Sequence, residues 1–500
     1  GADFPVYYDR IPTEGHFFVF ATNSNRPGFL RDLPTVEGPQ IFMMDAPESR
    51  SDKMLVIAGR DEADLVVAVQ ALASGEHVLI GDKLPIKDFK PAADRQAYDA
   101  PNWVPIDETI ALSRIMQYPG QLTSRGYAPP AVHLPMSIAP DLYMVGTGGL
   151  DVNLKYRYTK PEGGDQAQLR MRINNYLVDS VNLSQQSSVG EREMRLPSFN
   201  GPLATSPSEA LALAAQNDLS FEVVYRRELS EGSPDNCKSV VLLPHQMEID
   251  PASTITLNGL FHYAEMPNLT LFTQSAYPYS IYADLSRTVA VIPKEASAEK
   301  VTTLLNTTAR IASVTGAVAT KIKVVDRPSQ EALDGHDILF IGEMPITLPD
   351  FKKDNAEQLQ EAIADSLQGE EILQPEEVLF SPEGGVGAIV SLQSPFDSDR
   401  TVVALLSEGQ SGSYLLNQHL KSPSSLTTVS GAVAIINEQS VMDFAVGESY
   451  HIGDLPWYQK IWQTMSNYPL LLVLCALICA VLVGTGIFYF MRLWVRGRAR

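Results

Sequence analysis

Eight histidines, three cysteines and 59 Asp and Glu residues are the groups in this 500-residue chain that could carry metal, nucleophilic or acid–base chemistry. The histidines stand at His16, His77, His133, His245, His262, His336, His419 and His451, and no two share the i, i+4 spacing by which one helix face presents two metal ligands. Cys237, in Asp235-Asn236-Cys237-Lys238, has no recognisable catalytic setting, and no Gly-x-Ser-x-Gly nucleophile elbow occurs. Carboxylates are abundant enough that a hydrolase working through an Asp and Glu pair stays open as the alternative chemistry. Asp45, Asp337 and Asp399 read as loop or solvated-edge residues. A phosphate cradle needs backbone N–H groups, usually on glycine, where a strand turns into a helix. The corresponding loop, Pro293-Lys294-Glu295-Ala296-Ser297, has no glycine, loses a donor at Pro293 and puts Glu295 where an anion would sit. Gly146-Thr147-Gly148-Gly149 precedes a strand, so it reads as a turn or bulge. No cofactor is expected from these residues.

Sugar rings pack their C–H faces on aromatic side chains, and Trp103, Tyr143, Tyr156, Tyr158, Tyr176 and Tyr225 lie in one central region. Tyr156 and Tyr158 share a strand face with Val152 and read as core. Trp103, between Pro101 and Pro105, is the better surface candidate for a glycan contact. The formal charge of −21, with 38 Lys and Arg, argues against a nucleic-acid polymer as partner.

From Leu470 to Met491 the chain carries 22 residues without a charge, about 33 Å of helix, which predicts one transmembrane span. Arg492, Arg496, Arg498 and Arg500 follow it without an acid, which marks that end as cytoplasmic and the rest as an outer, acidic ectodomain. Ahead of the span, Trp457, Ile461, Met465 and Tyr468 recur at helical spacing, with Trp462 among them, and predict an amphipathic helix in the membrane interface. Pro469 offers a break before the span.

The elements that would carry these groups show an internal repeat. Gly15–Phe20 parallels Gly335–Phe340, and Ile41–Gly59 parallels Ile389–Ser407 without a gap, each followed by a helical stretch at Glu62–Ala73 and Gly412–Leu420. The second copy opens with a strand at Thr288–Ile292, a helix at Ser297–Val314 and a strand at Thr320–Val325, the start of an open parallel sheet. If the copies are related, the matching unit of the first lies before Gly1. Between the copies, period-two alternation over Val152–Tyr158 and Leu169–Ile173 predicts half-buried strands. Turns are expected at Pro161–Gly164 and Asn174-Asn175, and a helix-capable insert at Ser208–Gln216.

The expected fold class is therefore multidomain α/β plus all-β. Residues 1–85 are expected to form a partial doubly wound α/β domain, 86–280 a jelly-roll β-sandwich, 281–450 a second doubly wound domain, 451–469 the interface helix, 470–491 the span and 492–500 the basic tail.

This order of parts, with Asp151–Tyr156 and Trp457–Trp462 as local matches, resembles the B subunits of bacterial cellulose synthase. The resemblance covers the whole chain and implies a non-catalytic subunit of the inner membrane with its ectodomain in the periplasm. It further implies that the interface helix and anchor, including Arg492, pack on the catalytic membrane glucosyltransferase, and that flavodoxin-like α/β domains at 1–85 and 281–450 alternate with carbohydrate-binding-like sandwiches that receive the emerging β-1,4-glucan. The family also carries a cyclic-di-GMP-binding label. Exposed sheet edges make self-association a further expectation.

Overall fold

A computed structural model describes residues 4–47, 49–75, 81–161, 165–197, 213–226, 244–344, 355–367, 385–421, 429–438, 440–461 and 469–498. The chain divides into two compact units, Gly1–Trp103 with Glu265–His451, and Val104–Ala264 with Ile452–Arg500.

The first sheet contains β1 (Phe17–Thr22), β2 (Gln40–Ala46), β3 (Ser49–Gly59) and β4 (Lys83–Pro85) in the order β1-β3-β2-β4. Only β1 and β3 are parallel. Helix α1 (Glu62–Ser74) starts at Asp61, whose side chain accepts from the Asp64 N–H, and stops at Gly75, in the left-handed region at φ 66°. It lays Ala68 and Ala71 against Ile41 and Ile57, while Val19, Ala21 and Val56 on the other face meet Leu30 and Val36.

The second unit is built from β5 (Thr109–Ala111), β6 (Thr123–Gly126), β7 (Val132–Ser137), β8 (Leu142–Tyr158), β9 (Gln166–Ile173), β10 (Tyr176–Asn182), β11 (Val189–Pro197), β12 (Gln216–Arg226), β13 (His245–Ile249) and β14 (Thr254–Met266). One sheet runs β10-β9-β12-β7; the other follows β14-β8-β13-β6, with β11 beside β8 and β5 beside β14. Every pairing among these ten strands is antiparallel. Alternation decides the faces: Ala167, Leu169, Met171 and Ile173 are buried in the shared core, leaving Gln168, Arg170 and Arg172 on the outer side. Burying each larger apolar side chain favours this register by about 1.5–3 kcal/mol over a one-residue slip. Asn174 and Asn175 both take positive φ, 49° and 68°, as a tight two-residue hairpin requires. The Gly146–Gly149 stretch lies inside β8, opposite a break in the ladder where Asn258 faces Gly149 and Leu260 faces Met144. A bulge therefore accounts for it. The expected turn Pro161–Gly164 and the insert Ser208–Gln216 fall mostly outside the described residues, and Gln216 itself begins β12.

The second α/β sheet carries seven strands. After α2 (Leu269–Ser275) come β15 (Thr288–Val291), α3 (Ala298–Thr315), β16 (Lys323–Val325), α4 (Gln330–Leu333), β17 (Asp337–Glu343), α5 (Asn355–Leu367), β18 (Gly387–Gln393), β19 (Thr401–Ser407), α6 (Gly409–Lys421), β20 (Val433–Ile436) and β21 (Val441–Phe444). Their order is β16-β15-β17-β19-β18-β20-β21. Helices α3 and α6 cover one face through Leu304, Ile311, Leu416 and Leu420, and α5 the other through Leu359 and Ile363. The sheet is not parallel throughout, as its opening unit suggests. Strands β16, β15, β17 and β19 are parallel, but β18 pairs antiparallel with β19 and with β20. The connection Ser394–Arg400, closed by Ser394 N–H to Arg400 O and Arg400 N–H to Asp397 O, is too short for a parallel crossover.

The same hairpin exists in the first sheet. Strands β1, β3, β2 and β4 repeat the order and sense of β17, β19, β18 and β20. Met44 pairs with Met54 as Leu392 does with Val402, and Ile41 with Ile57 as Ile389 does with Leu405, so the ladder reproduces the gapless sequence match.

Asp337, expected at a solvated edge, is buried at 3% exposure where β17 meets β19. Its carboxylate accepts from Thr401 N–H at 2.9 Å and Arg400 Nη1 at 3.3 Å, and these partners permit the burial. Thr401 Oγ1 in turn meets the Tyr450 hydroxyl at 2.8 Å. Burial outweighs the Arg400 charge and the Thr401 N–H and pushes the Asp337 carboxyl up to about 6. The folded chain thus holds this proton more tightly than the unfolded chain. The group's contribution is fully present below about pH 4 and is lost as pH rises through about 6. Asp337→Asn should flatten the pH dependence of unfolding free energy between pH 4 and 7 by up to about 3 kcal/mol relative to wild type, as read by denaturant titration at each pH.

Candidate functional sites

The end of the second α/β sheet where doubly wound proteins hold phosphate is built from the loop after β15, the start of α3 and the ends of β17 and β19. Here Lys300, 8% exposed, turns its ammonium onto Glu343, and Glu299 accepts from Gln410 Nε2 at 3.0 Å. Glu295 is exposed on the same loop. Lys300, in the first turn of α3, is already paired, and Glu295, Glu299 and Glu343 bring three carboxylates to these elements against the one exposed Lys294 of the loop, a balance unfavourable to an anion. Among the described residues no three His, Cys, Asp or Glu side chains gather as a metal site. Cys237 lies outside the described residues.

On the sandwich, Tyr156 and Tyr158 are core residues, each 6% exposed. The Tyr158 hydroxyl donates to Ser184 O at 3.1 Å and accepts from Ser184 N–H at 2.9 Å. Tyr225 stacks on His245 at 3.7 Å between centroids, donates to Thr159 O and is pushed up to about 12 by burial. Tyr143 meets Tyr263 edge to face at 5.8 Å.

Trp103 is not on the surface. It is 3% exposed, its ring tilts against Tyr98 at 6.5 Å, and its neighbours Ala100 and Val104 are buried too. Asn102, not Trp103, faces outward at this turn, tied by its N–H to Thr315 O. The flanking prolines mark a bend, and the bend turns the large apolar ring inward, where its transfer from water is favourable.

Tyr176 keeps its exposure at 70%, beside Leu177 on the β9–β10 hairpin, and Tyr118 and Tyr127 are exposed as well. The last two stand in irregular segments with no periodicity to flag them. The outer face of the β10-β9-β12-β7 sheet is a polar ladder in which Glu222 pairs with Arg172 at 3.5 Å and Arg170 at 4.0 Å, and His133 meets Asp218 at 2.7 Å.

The chain is helical over 457–461, opened by Pro456, whose carbonyl accepts from Gln459 and Lys460 N–H. Trp457, Tyr458 and Ile461 are exposed at 75%, 52% and 50%, and Trp457 and Ile461 share a face by their i, i+4 spacing. Trp462, Met465 and Tyr468 lie outside the described residues. Helix α7 (Pro469–Arg498) has 30 residues, about 45 Å, and contains Arg492. Among the described residues, which in α7 give side chains only at Val473 and 477–491, no helix is long and apolar enough to cross a membrane. The described side chains are apolar on all sides, with Val481, Leu482, Val483, Phe488 and Phe490 each at least 60% exposed.

Three segments match protein-family models, described as the first FD domain of cellulose synthase BcsB over residues 1–86, its second CBM domain over 109–254 and its second FD domain over 262–405. Similar curated proteins bear the name cyclic di-GMP-binding protein. The one from Salmonella typhi is 34% identical over all of this chain and 67% of its own length; that of Escherichia coli K12 is 33% identical over all of this chain and 66% of its own. The relative from Komagataeibacter xylinus is 26% identical over 97% of this chain and 63% of its own length. The chain thus spans about two thirds of the length of these relatives.

Two substitutions separate core from surface. Trp103→Ala should lower stability by about 3–5 kcal/mol in denaturant melts, a cavity effect. Tyr158→Phe, losing both Ser184 hydrogen bonds, should cost about 1–3 kcal/mol by the same measurement.

Proposed function

The chain belongs to the BcsB family of cellulose synthase subunits, and from that premise we propose that it is the non-catalytic, membrane-anchored partner of a glucosyltransferase. The observation that carries the reading is the juxtamembrane pair of elements. A helical turn exposing Trp457 and Ile461 leads to a 30-residue helix whose sequence holds 22 consecutive uncharged residues. A helix apolar on every side is stable in lipid or against another apolar surface, not in water.

In this reading residues 470–491 span the inner membrane once. Arg492 and the arginines behind it stay cytoplasmic, and the domains 1–85, 86–280 and 281–450 stand in the periplasm. The flavodoxin-like character of the α/β domains and the jelly-roll connectivity of the sandwich belong to the same reading. Trp457, Ile461, Trp462, Met465 and Tyr468 lie between lipid headgroups and the catalytic subunit. Each exposed aromatic or aliphatic side chain there gains about 1.5–3 kcal/mol on full burial.

The emerging β-1,4-glucan passes the sandwich, and the exposed Tyr118, Tyr127 and Tyr176 replace Trp103 as its candidate contacts. The relatives' name assigns cyclic di-GMP binding to them. In this chain the acidic surroundings of the α3 start disfavour a phosphate ligand at that crevice, so the dinucleotide is read as acting on the complex elsewhere. Among the described residues β21 and β16 stand at the two edges of the seven-stranded sheet and offer sites for self-association.

Deleting residues 457–500 should abolish glucan synthesis in membranes that contain the catalytic subunit, measured as incorporation of labelled glucose into insoluble polymer. Full synthesis without this segment would refute the reading. The purified chain should release no new reducing ends from β-1,4-glucan; release would favour the hydrolase.

A further inference from the structure

The last strand before the juxtamembrane helix, β22 (Tyr450–Gly453), is gripped at both ends. Gly453, at φ 94°, leaves no room for a side chain against the His262 carbonyl of β14. Tyr450, 9% exposed, puts its hydroxyl 2.8 Å from Thr401 Oγ1 at the start of β19. From Tyr450 the chain reaches Trp457 within about 25 Å even when fully extended.

Thr401 carries a second link. It gives its N–H to Asp337, so one residue connects the Tyr450 hydroxyl to a buried carboxyl. Arg400 is the one cation paired with that carboxyl among the described residues; Asp397 opposes it with a like charge, and Tyr282 faces Arg400. The buried Tyr279 hydroxyl is spent on Ile338 O at 2.6 Å and Val403 N–H at 3.1 Å. His336 uses both ring nitrogens, Nδ1 on Asp334 O at 2.7 Å and Nε2 accepting from Lys323 Nζ at 3.2 Å. Burial, then the charges of Lys323, Arg287 and Arg400, lower its pKa from the ordinary histidine range. An ionised Asp337 is therefore thinly compensated in the closed structure, and access of water would relieve it. The Tyr450 contact, on the same threonine, is the tie that such an opening releases.

We propose that Tyr450 latches the strand leading to the juxtamembrane helix onto the second α/β domain, and that the charge on Asp337 sets how firmly the latch holds. The direction follows from linkage. Burial holds the closed carboxyl up at about 6, while an opened one returns to near 4. The open form then binds fewer protons and gains on the closed form as pH rises through about 6. That the latched strand leads into a membrane stalk rests on the proposed function; the latch itself does not.

Hydrogen–deuterium exchange of the full-length chain in detergent, followed on a peptide over 450–456 and corrected for the intrinsic rate at each pH, tests this. Opening of that peptide should rise by up to about tenfold from pH 5 to pH 7, while a peptide over β20 in the same domain stays protected. Asp337→Asn should abolish the rise. Tyr450→Phe, which keeps the ring, should open the peptide about fivefold or more at pH 5 and leave little further change by pH 7. It keeps the test decisive if the Asp337 variant fails to fold. The proposal is overturned by a flat wild-type profile, by a rise that persists in Asp337→Asn, by equal behaviour of Tyr450→Phe and wild type, or by an equal rise over β20, which would mean unfolding of the whole domain. Opening that grows toward low pH would assign the titration to His336 and overturn it as well. Failure of the broader role shows separately, as glucan synthesis that proceeds without residues 457–500.

Discussion

An uninterrupted apolar run cannot sit in water at the end of an acidic chain, and this incompatibility governs the rest of the molecule. Residues 1–469 carry all 59 carboxylates and need an aqueous surround, while Leu470–Met491 needs an apolar one. In the proposed reading a boundary between two solvents satisfies both, and the exposed Trp457, Tyr458 and Ile461 are of the type that settles at such a boundary. In the same reading the four arginines behind the run set the direction of crossing.

Ahead of that run, one strand arrangement is used twice. A central parallel pair flanked by an antiparallel hairpin, with one helix laid over it, recurs with unchanged hairpin register in both α/β sheets. Strands β17 and β19 are buried on both faces, so their residues are constrained as packing units: Ile338, Leu339, Val402, Val403 and Leu405 are all fully buried. The crevice at the sheet end, free of that constraint, presents Glu343 and Glu299 and no glycine cradle among its described residues. The scaffold is thereby compatible with positioning other domains and with binding neutral partners.

Local features were readable from the chain itself. Period two in Gln166–Ile173, the two asparagines of the hairpin, and the order of β15, α3 and β16 depend on neighbours in sequence, and all three stand as expected. The internal match over Ile41–Gly59 even anticipated a shared register. Features decided by distant partners were not readable. Asp337 is buried because Arg400 and Thr401 come to it from across the sheet, and Trp103 is buried because its bend turns the ring inward. The antiparallel placement of β18 follows from a loop too short to cross over, a length visible in the sequence but obscured by the parallel opening of the domain. At the candidate sites, exposure separated Tyr176 from Tyr156 and Tyr158, all three on strands, while Tyr118 and Tyr127 lacked any pattern to mark them.

Sidedness is the central claim, and single-cysteine labelling with a membrane-impermeant maleimide tests it most directly. In a background with Cys237→Ser, Cys475→Ser and Cys479→Ser, Tyr176→Cys on the exposed hairpin should be modified in intact spheroplasts to the same extent as after permeabilisation, and Arg496→Cys only after permeabilisation. The reverse pattern, with position 176 protected until the membrane is opened, would contradict the account.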